Sequence, residues 1–355
     1  MKWLIPIISF ILACLSLITL HSIAPELVYR QFLYFVIGFV IFFALRYLKF
    51  KQLEKPSIII FWLLNLTLLL LLIIGGSTRS TVRWIDLFAG FKFQPSQFAS
   101  FLTALYFVFI LPKIKTKTIG GITKLIFLIA LPVLLIFIQP DFGTSLVLAA
   151  GLSAVFFVMP IKLKHLAMYS LISLVLAVII WNSALKPYQK NRVISFFSSS
   201  DTLDADTGYN ARQALIAVGS GQMYGRGLGF GVQSHLKFLP ERQTDFIFAS
   251  IAEEWGFIGS ALVISMLFAL MLVLWLYCVE MRDKRHQYFM LVVTANIFFH
   301  VLINVGMNLG LMPITGLTLP LVSYGGSSII SFMISLGIAF NLIEQQHPKL
   351  KLRIK

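Results

Sequence analysis

Apolar runs of about 20 residues recur along the chain, the length a helix rising about 1.5 Å per residue needs to cross about 30 Å of hydrocarbon. They are Trp3 to His21, Tyr29 to Leu48, Ser57 to Gly75, Pro95 to Leu111, Ile122 to Ile138, Thr144 to Met159, Leu163 to Trp181, Phe246 to Tyr277, Tyr288 to Asn308 and Leu317 to Ile343. Lipid offers no hydrogen-bond partner, so each run must satisfy its own backbone, and helices are predicted. Apolar residues make up 58% of the chain and charged ones 12%, against roughly 45–50% and roughly 25% in soluble domains. That excludes a water-soluble globule. The expected fold is an all-α polytopic membrane protein of about ten transmembrane helices, one domain over residues 1–355. Residues 182–245 form its one long loop, between helices 7 and 8.

The 29 Lys and Arg against 14 Asp and Glu would suggest nucleic acid in a soluble protein. Here topology accounts for them: most fall in the loops that share a side with the N-terminus, which the positive-inside tendency makes cytoplasmic. Both termini are therefore expected in the cytoplasm. Few acidic residues lie on that side, so carboxylate chemistry belongs on the outer face. Lys2, the first apolar run and Ser22-Ile23-Ala24 imitate a signal peptide, but with one charge ahead of it and another span at once behind, an uncleaved helix is expected. Cys14 and Cys278 have no metal or redox spacing and read as packing residues.

Polar groups inside spans are costly and need an account. In Gln139-Pro140-Asp141-Phe142-Gly143-Thr144, Pro140 stops the arriving helix and Asp141 either caps the next or lines an outward cavity. Between Gly219 and Gly231 glycines crowd into a stretch whose spacing is wrong for a dinucleotide fingerprint; irregular backbone there suggests N–H groups cradling a diphosphate. In Leu239-Pro240-Glu241-Arg242-Gln243-Thr244-Asp245-Phe246, Asp245 is either a helix cap or a general base beside Arg242, placed to receive an anionic substrate. Glu253 and Glu254 follow in the same helix. Cations on the outer side, among them Arg30, Arg83, Arg192, Arg212 and Arg242, suit phosphate groups of a lipid-linked substrate. His300, Asn304 and Asn308 recur every four residues as a polar stripe, read as interhelical hydrogen bonding. Pro320, Gly325 and Gly326 break the last run beside Ser323, and broken helices border cavities.

These motifs, in order over nearly the whole chain, resemble the SEDS family (shape, elongation, division and sporulation). Arg83-Trp84-Ile85, Gln94-Pro95-Ser96 and Tyr188-Gln189 with Arg192 also match. The resemblance implies a multi-pass enzyme of the bacterial cytoplasmic membrane, its active site on the outer face, that polymerises lipid II into glycan strands and releases undecaprenyl diphosphate. Its implied partners are a class B penicillin-binding protein, lipid II and membrane lipids, not nucleic acid. It implies Asp245 as the catalytic residue and Asp141, Arg30, Arg83, Arg192, Arg212, Arg242, Glu241 and Ser323 around the substrate. No cofactor is certain; a divalent cation such as Mg or Mn is left open. Short termini and Gln233-Ser234-His235-Leu236 tip the reading to the elongation branch, with a cell-division paralogue or a flippase or transporter as alternatives. The chain departs from the family at Gln97 and Ser100, where Glu and Lys are usual, so an acid and a base are absent together.

Overall fold

A computed structural model describes residues 1–74, 83–86, 92–115, 118–159, 164–165, 167–168, 182, 190 and 205–346. The predicted seventh span, Arg192 and the Tyr188-Gln189 motif lie outside the described residues or almost so. The first helices are α1 (Leu4–Ile23), α2 (Pro25–Ala44) and α3 (Glu54–Ile74). Ala24, at φ −151°, separates α1 from α2, and Pro25 opens α2 where its missing N–H costs nothing. A two-stranded antiparallel ribbon, Ile85–Asp86 against Lys92–Phe93, leads into α4 (Pro95–Ile110) and α5 (Ile119–Ile138).

Three expected spans take a different form. The sixth is only α6 (Phe142–Ser153), which tightens into a 3₁₀ turn at Ala154–Phe157. After α7 (Ala205–Ser220) and the single turn α8 (Val232–His235) comes α9 (Ile247–Glu280), whose hydrogen-bond ladder is interrupted at Gly256, φ +69°. The last run becomes helical only at α11 (Gly326–Gln346), after α10 (Lys284–Asn308) and an irregular stretch from Leu309 to Gly325. Within that stretch Leu317, Leu319, Leu321 and Val322 are at most 2% exposed, so protein rather than lipid surrounds the irregular backbone, as an apolar solvent demands.

Burial orders the bundle. Of the apolar window of α11, 83% is buried, and of α10 72%, against 22% for the α2 span. The C-terminal pair forms the centre, and α2 turns Phe32, Val36 and Val40 outward, as suits a lipid-facing helix. Eight described helices are long and apolar enough to cross a membrane. At the end of the bundle away from Asp245, Glu344 of α11 binds Lys2 at 2.9 Å and also Arg46, joining both chain ends to α2.

Candidate active site

Asp245 sits at the last turn before α9, where the chain reverses on the carbonyl of Glu241. That one oxygen accepts from the N–H groups of Thr244 at 3.1 Å, Asp245 at 3.1 Å and Phe246 at 3.3 Å. Glu241 takes φ +51° to present it, and its own carboxylate accepts from Thr244 Oγ1 at 3.2 Å. Asp245 is half-buried, and its Oδ2 lies 3.5 Å from where a Cβ on Gly316 would stand. A Cβ there would stand at ordinary contact distance from the carboxylate, and Gly316, at φ +76°, needs glycine for its backbone. Ser323 donates from Oγ to the Thr244 carbonyl at 2.6 Å, and the Tyr324 N–H donates to that of Gln243 at 2.9 Å. Ser323 thus holds the backbone of this turn.

Asp141 is 2% exposed and fully engaged. Its Oδ1 caps α6 through the Thr144 N–H at 3.3 Å and faces Arg83 at 3.5 Å; its Oδ2 accepts from Gln94 Nε2 and Ser96 Oγ, each at 3.2 Å. Arg83 donates further to the carbonyls of Gln139 and Pro140, clamping the turn that presents Asp141. The structure bears out the capping reading of Asp141, and the same carboxylate pairs with Arg83 rather than opening onto an outward cavity. Gln94 also donates its backbone N–H to Ser327 Oγ at 3.0 Å at the start of α11. The two acidic motifs therefore reach neighbouring residues, the Asp245 turn at Ser323 and Tyr324 and the Asp141 cluster, through Gln94, at Ser327.

Among the predicted cations, Arg242 donates to the Ile23 carbonyl at 3.2 and 3.0 Å, fastening the end of α1. Arg30 is exposed near the start of α2, and Arg212 is exposed on α7. Among the described residues no three His, Cys, Asp or Glu side chains converge as a metal site would require.

The glycine-rich stretch is a correction. Its N–H groups are not presented to a ligand but repair the break in α9. Arg226 and Gly227 donate to the carbonyls of Glu253 and Glu254 at 2.9 and 3.0 Å, while Phe257 and Ile258 donate back to those of Gln222 and Met223 at 2.8 and 3.2 Å. A Gly221 Cβ would stand 1.8 Å from the Ala252 carbonyl oxygen, so glycine is needed for close backbone approach. Composition showed irregularity there; nothing local in the sequence showed what the stretch would pair with.

Glu253 and Glu254, both at most 2% exposed, complete the splice. Glu253 accepts from the N–H groups of Gln233 and Ser234 at 2.8 and 3.0 Å and from Ser234 Oγ at 2.6 Å. Glu254 Oε1 takes Ser22 Oγ at 2.6 Å and lies 3.0 Å from His235 Nε2.

The cell cycle protein family model spanning FtsW, RodA and SpoVE matches residues 3–347. The chain belongs to this family. The peptidoglycan glycosyltransferase MrdB of Helicobacter pylori (strain J99) is 31% identical over 350 residues, 96% of this chain and 89% of that one. A probable peptidoglycan glycosyltransferase FtsW of Wigglesworthia glossinidia brevipalpis is 35% identical over 331 residues, covering 90% and 84%. Among solved structures, a chain of a peptidoglycan synthase complex, described as coordinating polymerization and crosslinking, superposes with TM-score 0.83 at 27% identity, covering 98% of each chain. The rod shape determining protein RodA of Thermus thermophilus superposes with TM-score 0.71 at 26% identity, covering 97% and 96%. The family's polytopic fold, carried to this chain, gives the Asp245 turn and the Asp141 turn a common membrane setting.

Proposed function

We propose that this chain, a peptidoglycan glycosyltransferase of the FtsW/RodA/SpoVE family, polymerises lipid II on the outer face of the bacterial cytoplasmic membrane with Asp245 as general base. The observation that carries the reading is the Asp245 turn: a half-buried carboxylate at a loop-to-helix junction, seated over Gly316, on backbone fixed from several sides. The Asp245 carboxylate takes the proton of a sugar 4-hydroxyl on incoming lipid II. That oxygen forms the bond to the anomeric carbon of the growing strand, and the bond from that carbon to undecaprenyl diphosphate breaks. Arg30 and Arg212 are proposed for the diphosphate, as is Arg192, which lies outside the described residues. Arg83, Arg242, Glu241 and Ser323 hold the backbone around the reacting groups, and Asp141 shapes the neighbouring wall. A divalent cation, open from the resemblance, finds no donor set of three His, Cys, Asp or Glu among the described residues.

An elongation role with a class B penicillin-binding protein as partner is supported by the motif before Leu239 and by the likeness to RodA. The FtsW relatives, at similar identity, favour division as the second reading. The test is glycan-strand formation from labelled lipid II by the protein with its partner, transpeptidation blocked. Wild type should polymerise, and Asp245→Asn should be slower by about 10²–10⁴-fold, the usual contribution of a general base. Equal polymer from both proteins overturns the base; none from an intact wild-type complex overturns the reaction and favours lipid movement.

A further inference from the structure

The polar stripe of α10 has a use that the spacing of its residues did not reveal. Asn304 and Asn308 both aim their amide N–H groups at the main-chain carbonyl of Asp245, at 3.0 and 3.1 Å. Asn304 Nδ2 also donates to the Leu317 carbonyl at 2.6 Å, Asn308 Nδ2 to that of Asn304 at 2.8 Å, and Asn308 Oδ1 accepts from the Ala249 N–H at 3.1 Å. His300 extends the row by donating from Nδ1 to the Thr318 carbonyl at 3.2 Å. With Tyr324 on the Gln243 carbonyl and Ser323 on that of Thr244, three consecutive carbonyls leading to Asp245 are each held by a named donor.

The cost of this arrangement argues for its purpose. Asn304 is fully buried, and its Oδ1 has no hydrogen-bond partner. A buried acceptor left unmatched is unfavourable. Turning the amide over would instead set Oδ1 against the carbonyl oxygens of Asp245 and Leu317, so the two donor contacts fix its orientation. Both asparagines are fully buried, on one of the two most enclosed helices of the bundle.

We infer that Asn304 and Asn308 are positioning residues, which fix the backbone of Asp245 so that its carboxylate stands in one place over Gly316 when the sugar hydroxyl arrives. They touch neither substrate nor reacting atoms and act through Asp245 alone. The inference rests on Asp245 being the base. A carboxylate on a loosened turn still carries its charge, but a reacting group displaced by about 1 Å can lose about 10²-fold in rate.

The experiment compares wild type with Asn308→Leu and Asn308→Gln in the intact complex, measuring kcat and KM for lipid II together with hydrogen exchange. Asn308→Leu removes the Asn308 contacts to the Asp245 carbonyl and the Ala249 N–H, and we expect kcat to fall about 10–100-fold with KM changed less than about twofold, because chemistry rather than binding is impaired. Exchange should rise in the peptide spanning Glu241 to Ala249 and nowhere else. Asn308→Gln, which keeps an amide, should recover part of kcat. If Asn308→Leu fails to fold, the smaller Asn304→Ser and Asn308→Ser replace it under the same expectation. Full kcat in these variants while Asp245→Asn is inactive overturns the clamp alone. Loss shared equally between kcat and KM, with exchange raised throughout α9 and α10, overturns it in favour of a general structural role. Full activity in Asp245→Asn overturns the base and the clamp together.

Discussion

Gly225 and Gly256 meet backbone against backbone: a Cβ on Gly256 would lie 2.3 Å from the Gly225 nitrogen, and one on Gly225 would lie 2.1 Å from the Glu254 carbonyl oxygen. The loop enters the gap in α9 at this point, and neither partner can yield without breaking the hydrogen bonds that close the gap. Gly225→Ala should therefore cost more than about 3 kcal/mol, in the range reserved for core disruption. Gly229 is the control. It too has a positive φ, +84°, but nothing lies within 4 Å of an added Cβ, so Gly229→Ala should cost only the backbone preference, about 1–2 kcal/mol. Thermal unfolding of the two variants in the same detergent separates close approach from φ strain; equal shifts would refute the splice as a packing constraint.

The difference between these glycines marks where the sequence stops being legible. Period and length revealed most spans because a membrane helix satisfies its backbone within itself, so a local window contains the whole signal. The splice between Gln222 and Ile258 is non-local. Its sequence trace is a run of glycines that equally suited a diphosphate cradle. Similarly, Asp245 was legible as a chemical group at a helix entrance, whereas the asparagines that hold its carbonyl read only as a polar stripe. Their target is a main-chain atom about sixty residues away, which no side-chain pattern encodes. The likeness to a known family pointed to candidate residues; the geometry shows that Arg242 and Ser323, expected near substrate, are engaged with backbone carbonyls.

Asp141 should be a stability residue to a degree that its motif alone does not suggest. Asp141→Ala removes the α6 cap and leaves Arg83, Gln94 and Ser96 without their shared acceptor. Breaking one side of a buried ion pair costs about 3–5 kcal/mol. Asp141→Asn keeps a capping oxygen but also loses the charge facing Arg83, so it should lose less than Asp141→Ala by about 1 kcal/mol, the contribution of a cap. Unfolding midpoints for the two variants check this order, and equal destabilisation would show that the cap contributes little.

Asp283 caps α10 by accepting from the Arg285 N–H at 2.9 Å, and the Arg285 guanidinium lies 2.7 Å from its other oxygen. The hydrogen bond from the Arg285 side chain is the main cause holding its carboxyl below the ordinary value. A depressed folded-state pKa stabilises the protein above the unfolded value, about 3.9, and that contribution is lost as pH falls through the folded value. Asp283→Ala should cost about 0.5–2 kcal/mol near pH 7, towards the lower end because the pair is a third exposed. The gap between variant and wild type should close below about pH 4; a gap unchanged on acidification would mean that the carboxylate's charge contributes nothing.

Gln97 and Ser100 stand where the family usually carries an acid and a base, and here they border a cavity of about 20 Å³ shared with Ser96, Asn296, His300, Ser331 and Ser335. That volume suits one water molecule in a polar site. Gln97 Nε2 faces Gln94 Oε1 at 3.4 Å, so Gln97→Glu would set a carboxylate oxygen against a carbonyl oxygen. Ser100→Lys would bring an ammonium group into a neutral surround. Each single change should lower stability, since both positions are half-buried and a charge taken partly out of water without its partner is unfavourable. Together, one turn apart on α4, they supply each other's partner, and the double variant should be more stable than the sum of the singles by about 0.5–3 kcal/mol. Unfolding midpoints for the four proteins give that coupling directly. Strict additivity would mean that the two positions do not interact in this chain, and that the absent pair was never a unit here.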